Sequence, residues 1–157
     1  MDDSALTPTT SIKEVAIAIL YQGDRFLLQL RDDIPTIRYP GHWAFFGGHL
    51  ESGEHPDDAI ARELQEEINY VPSNLSLYRS CPDGDVIRHV YHAPLLVGLD
   101  ALTLGEGWDM DLLTQPQIQH GEHYSAHAGK ICPLGPPHRQ LLLTFIAEHP
   151  HFWTKRP

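Results

Sequence analysis

The chain has 157 residues and 41% hydrophobic content, one domain's length with enough apolar material for a single core. Eleven Lys and Arg stand against 21 Asp and Glu, a net charge of −10, which excludes an electrostatic footprint for nucleic acid or an anionic membrane. Two cysteines, Cys81 and Cys132, exclude a disulfide framework; with neither a membrane-length apolar run nor a signal-like start, the expected setting is cytoplasmic.

Residues 1–11 are small, polar and proline-containing and read as a loose arm, leaving 12–157 as a single domain. Glu14–Tyr21 is β-branched and apolar, a strand buried on both faces. The turn Gln22-Gly23-Asp24 joins it to a second strand, Arg25–Arg31, in a hairpin. Asp32–Gly41 is a loop. His42–Phe46 is short and aromatic, with Trp43, Phe45 and Phe46 read as core, and Gly47-Gly48 breaks its pattern. Pro56–Ile68 is a helix: proline suits the first helical position, Asp57 and Asp58 suit the positive end of the dipole, and Asn69 suits a left-handed cap. Leu75–Tyr78, Val86–His92 and Leu95–Leu99 read as strands. Asp100–Gly129 lacks periodicity, apart from a short helix over Asp111–Ile118, and its histidines His120, His123 and His127 fall in a loop. Pro137–Glu148 closes the chain as an amphipathic helix. Strands mixed with a few helices imply an α/β or α+β domain.

The acidity is concentrated. Residues 48–70 hold seven acids and one base, Arg62. Projected at about 100° per residue, Ile60, Ala61, Leu64 and Ile68 form an apolar stripe, and Glu63, Glu66 and Glu67 share an adjoining arc of about 100°. Like charges so placed repel unless a cation offsets them. All-oxygen ligands favour Mg²⁺ or Mn²⁺ over zinc; a solvated acidic face is the other reading.

The segment runs Gly48, five residues, Glu54, seven residues, then Arg62-Glu63-Leu64-Gln65-Glu66-Glu67-Ile68-Asn69-Tyr70. This resembles the Nudix box of nucleoside diphosphate-X hydrolases at every position but the late glycine, where Asn69 stands. The resemblance implies an α/β/α sandwich with a central mixed sheet and an Mg²⁺-dependent pyrophosphohydrolase. By the same resemblance Glu63, Glu66, Glu67 and the Gly48 carbonyl hold divalent metal, and Glu54 orients Arg62 or supports the metal shell. Arg62 pins the loop to the helix, and Glu66, Glu67 and Arg62 carry catalysis.

Outside the box, Arg31 and Arg38 are candidate substrate contacts, Arg31 with the alternative of an ion pair to Asp32 or Asp33. Glu106, between Gly105 and Gly107, is the candidate further catalytic carboxylate, with Glu122 as its substitute. The substrate is a small nucleotide, such as ADP-ribose or a nucleotide sugar, with oxidised or non-standard nucleoside triphosphates as the alternative and a non-catalytic nucleotide sensor as a third reading. Branch markers known in the family are missing: Gly84, Asp85 and Val86 stand where ADP-ribose branches often carry proline, and Ile87 and Arg88 where dinucleoside-polyphosphate branches often carry tyrosine. A homodimer is compatible with all of these readings.

Overall fold

The computed structural model describes residues 12–105 and 107–153; the arm read over 1–11 lies outside them. The strands are β1 (Lys13–Gln22), β2 (Arg25–Leu30), β3 (Trp43–Ala44), β4 (Phe46–His49), β5 (Ser76–Asp83), β6 (Val86–Pro94), β7 (Asp109–Thr114), β8 (Glu122–Ser125) and β9 (Lys130–Pro133). The helices are α1 (Pro56–Ile68), α2 (Gln115–His120), α3 (Pro136–Glu148) and α4 (Pro150–Trp153).

β1 organises the main sheet. It pairs parallel with β6 over Lys13–Tyr21, and antiparallel with β2 at Leu20–Gln22 and with β4 at Val15–Ala18. β2 pairs in turn with β3 and with β7, so the sheet is mixed. Ala16–Leu20 are all buried because both faces of β1 are covered. Ala16, Ala18 and Leu20 pack with Ile60, Leu64 and Ile68 of α1, whereas Ile17 and Ile19 pack with Leu142 and Phe145 of α3. The period of two along the strand thus divides one apolar run between two cores and yields the α/β/α sandwich.

α1 begins and ends where its residues dictate. The His55 ring accepts the Asp57 N–H at 3.1 Å, Pro56 opens the helix, and Asn69 closes it at φ 54° with its N–H on the Gln65 carbonyl. Ala59, rather than Ala61, joins the buried stripe.

Several expectations are corrected. Gly47 and Gly48 do not interrupt a strand; they lie inside β4, opposite Ile17 and Ala16. Gly47 permits the pairing. At Gly47, φ is 142° and a Cβ would fall 2.0 Å from the Ala16 carbonyl oxygen. Gly47→Ala is therefore expected to cost more than about 2 kcal/mol of stability, measured by denaturant unfolding; an unchanged midpoint would show that β4 can move away.

Leu95–Leu99 is not a strand. The Gln22 side chain donates to the Leu95 and Val97 carbonyls, and the chain then turns in a 3₁₀ segment at Leu99–Ala101. Asp111–Ile118 is not one helix, because its first half is drawn into β7 along the free edge of β2. Thr114 and Gln117 then form a reciprocal cap that starts α2. The histidine-rich stretch is not one loop: His120 ends α2, His123 lies on β8, and His127 lies in the turn of the β8–β9 hairpin. Among the described residues, no helix is long and apolar enough to cross a membrane.

Candidate active site

β4 leads directly into the loop before α1, so the acidic face of α1 lies beside the glycine strand. Glu67 is buried, and its Oε2 accepts the Gly47 N–H at 3.0 Å. Glu63 lies so close to Gly48 that a Cβ there would stand 2.5 Å from its Oε1. Glu66 is the outer member, its side chain 60% exposed.

Arg62 holds this face together. Its Nε and Nη2 each donate at 2.9 Å to one oxygen of Glu54, the bidentate geometry that makes guanidinium–carboxylate pairs strong. Nη2 also donates to the His49 carbonyl at 3.2 Å, tying the loop to the helix. Nη1 donates to Glu63 at 3.1 Å and reaches Glu66 at 3.5 Å. The Arg62 hydrogen bond, followed by the Glu51 backbone, lowers the Glu54 carboxyl to about 2; Glu54 in turn raises the Arg62 guanidinium above its ordinary range. Among the described residues, no three His, Cys, Asp or Glu side chains are close enough together to hold a metal ion. The donor chemistry nonetheless fits a hard divalent cation. Glu63, Glu66 and Glu67 offer only oxygen, and the side-chain-free Gly48 leaves space against Glu63.

A cavity of about 1000 Å³ opens beside this face. One wall carries Gly47, Gly48, Glu63 and Glu67. The rest of the lining brings in Lys13, Arg31, Arg38 and Arg88 together with Asp32, Glu51 and Asp85, a local concentration of cations for so acidic a protein. Both sequence-derived substrate contacts, Arg31 and Arg38, are thus placed with the box. Among the described residues, no ion pair joins Arg31 to Asp32 or Asp33; Asp33 reaches Lys130 at 3.8 Å instead. The Arg31 Nε is buried and has no hydrogen-bond partner. Such a donor carries a desolvation cost of about 1–3 kcal/mol until an acceptor arrives.

Glu106 lies outside the described residues. Its neighbours approach the box closely: the Gly105 N–H donates to the Glu67 carbonyl at 2.7 Å, and Gly107 lines the cavity. Glu122 stands on β8 beside His120, at 3.3 Å, and is not among the described residues that line the cavity. His123 is structural. Its Nε2 meets Asp111 at 2.8 Å, and its carbonyl accepts the Trp43 indole N–H.

Sequence reasoning missed Lys13, Arg88 and His138, which also line the cavity, as does Tyr39 between Arg38 and the box. Arg88 alternates along β6 like any strand residue, and His138 follows two prolines at the start of α3, so neither carries a local signal. Burial, together with the nearby charges of Arg88 and Arg31, lowers the His138 imidazole to about 3 and keeps it neutral.

The model of the NUDIX domain matches residues 12–110. The 8-oxo-dGTP diphosphatase of Escherichia coli K12 is 41% identical over 46 residues, 29% of this chain and 36% of that protein. Nucleoside triphosphatase NudI of Escherichia coli O139:H28 shows 41% identity over 46 residues, 31% of its own length. The match therefore spans about a third of these relatives. Among solved structures, MutT studied from Aliivibrio salmonicida and Vibrio cholerae superposes with a TM-score of 0.67 at 17% identity, over 87% of this chain and 98% of that one. The NUDIX domain of Shewanella oneidensis NrtR, complexed with ADP ribose, gives 0.65 at 18% identity over 86% of each chain.

Proposed function

The chain belongs to the NUDIX family, and from that premise we propose that it is a divalent-metal-dependent pyrophosphohydrolase that cleaves a diphosphate linkage in a nucleoside diphosphate derivative. The observation that carries this reading is that one cavity is lined both by the box residues Gly48, Glu63 and Glu67 and by the cations Lys13, Arg31, Arg38 and Arg88. The box residues suit a metal, and the cations suit the anionic substrate it would neutralise.

Glu63, Glu66, Glu67 and the Gly48 carbonyl would hold Mg²⁺ or Mn²⁺, which supplies charge neutralisation and a lowered pKa for the attacking water. The chain's own residues do the rest. Arg62 fixes Glu54 and the loop, so that β4 and α1 keep their spacing. Glu67, buried and hydrogen-bonded by Gly47, is held in one orientation beside the reacting phosphates. Arg31 and Arg38 bind and orient the anionic substrate. No covalent nucleophile is needed, because phosphoryl substitution depends mainly on positioning and charge.

Two substrate classes divide this reading. The domain of NrtR complexed with ADP ribose favours ADP-ribose or a nucleotide sugar. The diphosphatase and triphosphatase names of the curated relatives favour oxidised or non-standard nucleoside triphosphates. The intact set of box carboxylates favours turnover over a non-catalytic sensor. A nucleotide panel with Mg²⁺, its products identified by mass, tests the proposal. Release of a nucleoside monophosphate from at least one class is the expected result; binding without any product would leave a sensor.

A further inference from the structure

Three features at one corner of the cavity play no part in holding the metal. The first is the tautomer of His138. The Phe45 backbone N–H donates to its Nδ1 at 3.3 Å; a backbone N–H cannot accept, so Nδ1 is bare and the proton sits on Nε2. Among the described residues, no acceptor takes that Nε2 proton, and the ring lines the cavity. The second is the buried Arg31 Nε, also without an acceptor. The third is Tyr39, a cavity-lining tyrosine at φ 51°, in the left-handed region that non-glycine residues seldom occupy. Its ring stands edge-on to His138 at 6.3 Å, and Phe45 lies 5.3 Å from the same imidazole.

This corner therefore offers two donors, no competing acceptor of their own, and flanking aromatic rings. Resting on the nucleotide reading above, we propose that it receives the base of the substrate and that His138 is a specificity-determining residue, selecting bases that present a carbonyl oxygen over bases that present an amino group in its place. A carbonyl satisfies Arg31 Nε and His138 Nε2. An exocyclic amine meets two donors and leaves all three groups unpaired, the situation in which polar sites discriminate most sharply. The aromatic surround favours a planar base over a hydrated phosphate. The phosphates are served by the metal that the box carboxylates would hold and by the other cations of the cavity, Arg38 among them.

The test is equilibrium binding by calorimetry in excess chelator, so that no turnover enters. The probes are pairs in which an oxo group beside a ring N–H is exchanged for an amino group beside a bare ring nitrogen: inosine against adenosine diphosphate, and uridine against cytidine diphosphate. The oxo member of each pair is expected to bind at least about tenfold tighter, the worth of one well-made hydrogen bond. His138→Asn keeps both an acceptor for Phe45 and an N–H for the ligand, and should retain the preference. His138→Asp keeps the acceptor but removes the donor, and should erase or invert it; unchanged thermal midpoints would show that both variants fold. Equal affinity within each pair overturns the proposal. So does inorganic pyrophosphate binding as tightly as the whole nucleotides and competing with them, since the donors would then serve phosphate. If Mg²⁺-dependent hydrolysis proceeds without an oxo preference, only the role of His138 falls; if no nucleotide is hydrolysed, the pyrophosphohydrolase reading falls as well.

Discussion

Glu67→Gln is expected to lower hydrolysis of the preferred nucleotide by about 10²–10⁴-fold, the range lost when a positioned carboxylate at a reacting centre is neutralised. The substitution keeps an amide oxygen that can accept the Gly47 N–H, so the β4–α1 contact should persist and the protein should fold. Glu66→Gln tests the outer carboxylate, whose exposed side chain carries little packing. Both variants should also weaken the rise in thermal midpoint that millimolar Mg²⁺ gives the wild type, since a ligand that binds only the native state stabilises it by mass action. Reading the Mg²⁺-induced shift together with turnover separates loss of metal from loss of fold. Wild-type turnover in either variant, or full wild-type activity in excess chelator, would show that these carboxylates form only a solvated face.

Arg62→Ala should have the second largest effect, and of a different kind. It removes no metal ligand, but it releases Glu54 and the His49 carbonyl and leaves Glu63 and Glu66 without their shared guanidinium. kcat should fall by at least about tenfold, with KM changing much less, because the lost interactions position groups for the transition state rather than bind the ground state. There is also an acid-stability signature. Glu54 titrates at about 2 in the folded protein, well below its ordinary 4.5. Because the folded value is the lower one, the stability it contributes is fully present above the ordinary value and is lost as pH falls towards 2. In Arg62→Ala that contribution is absent, so the difference in thermal midpoint between wild type and variant should shrink as pH drops from about 5 to 2. A constant difference across that window, or an unchanged kcat, would make Arg62 an ordinary surface residue.

Much of this protein is written locally. The 23 residues from Gly48 to Tyr70 contain the box, and a helical period of 3.6 converts their spacing into one acidic face without help from the rest of the chain. Pro56, Asp57, Asp58 and Asn69 mark the ends of α1 because capping chemistry acts within a turn. The unbroken apolar run in β1 announces a strand covered on both faces, and so the layered architecture.

Tertiary structure decided what depends on distant partners. Gly47 and Gly48 read locally as a break, yet both lie in β4; Gly47 lets it close on the β1 backbone, and Gly48 makes room for the Glu63 side chain. Asp109–Thr114 has no strand periodicity of its own and becomes β7 because β2 offers it an open edge. The cationic lining is likewise non-local. Lys13, Arg31, Arg38 and Arg88 come from β1, the residue after β2, the following loop and β6, neutral His138 joins them from α3, and only the sheet's pairing order brings them round one cavity. Composition could show that the chain is acidic and where the acids crowd. The folded sheet alone decides which of its few cations face them, because a side chain's neighbours across a sheet are set by register and not by distance along the chain.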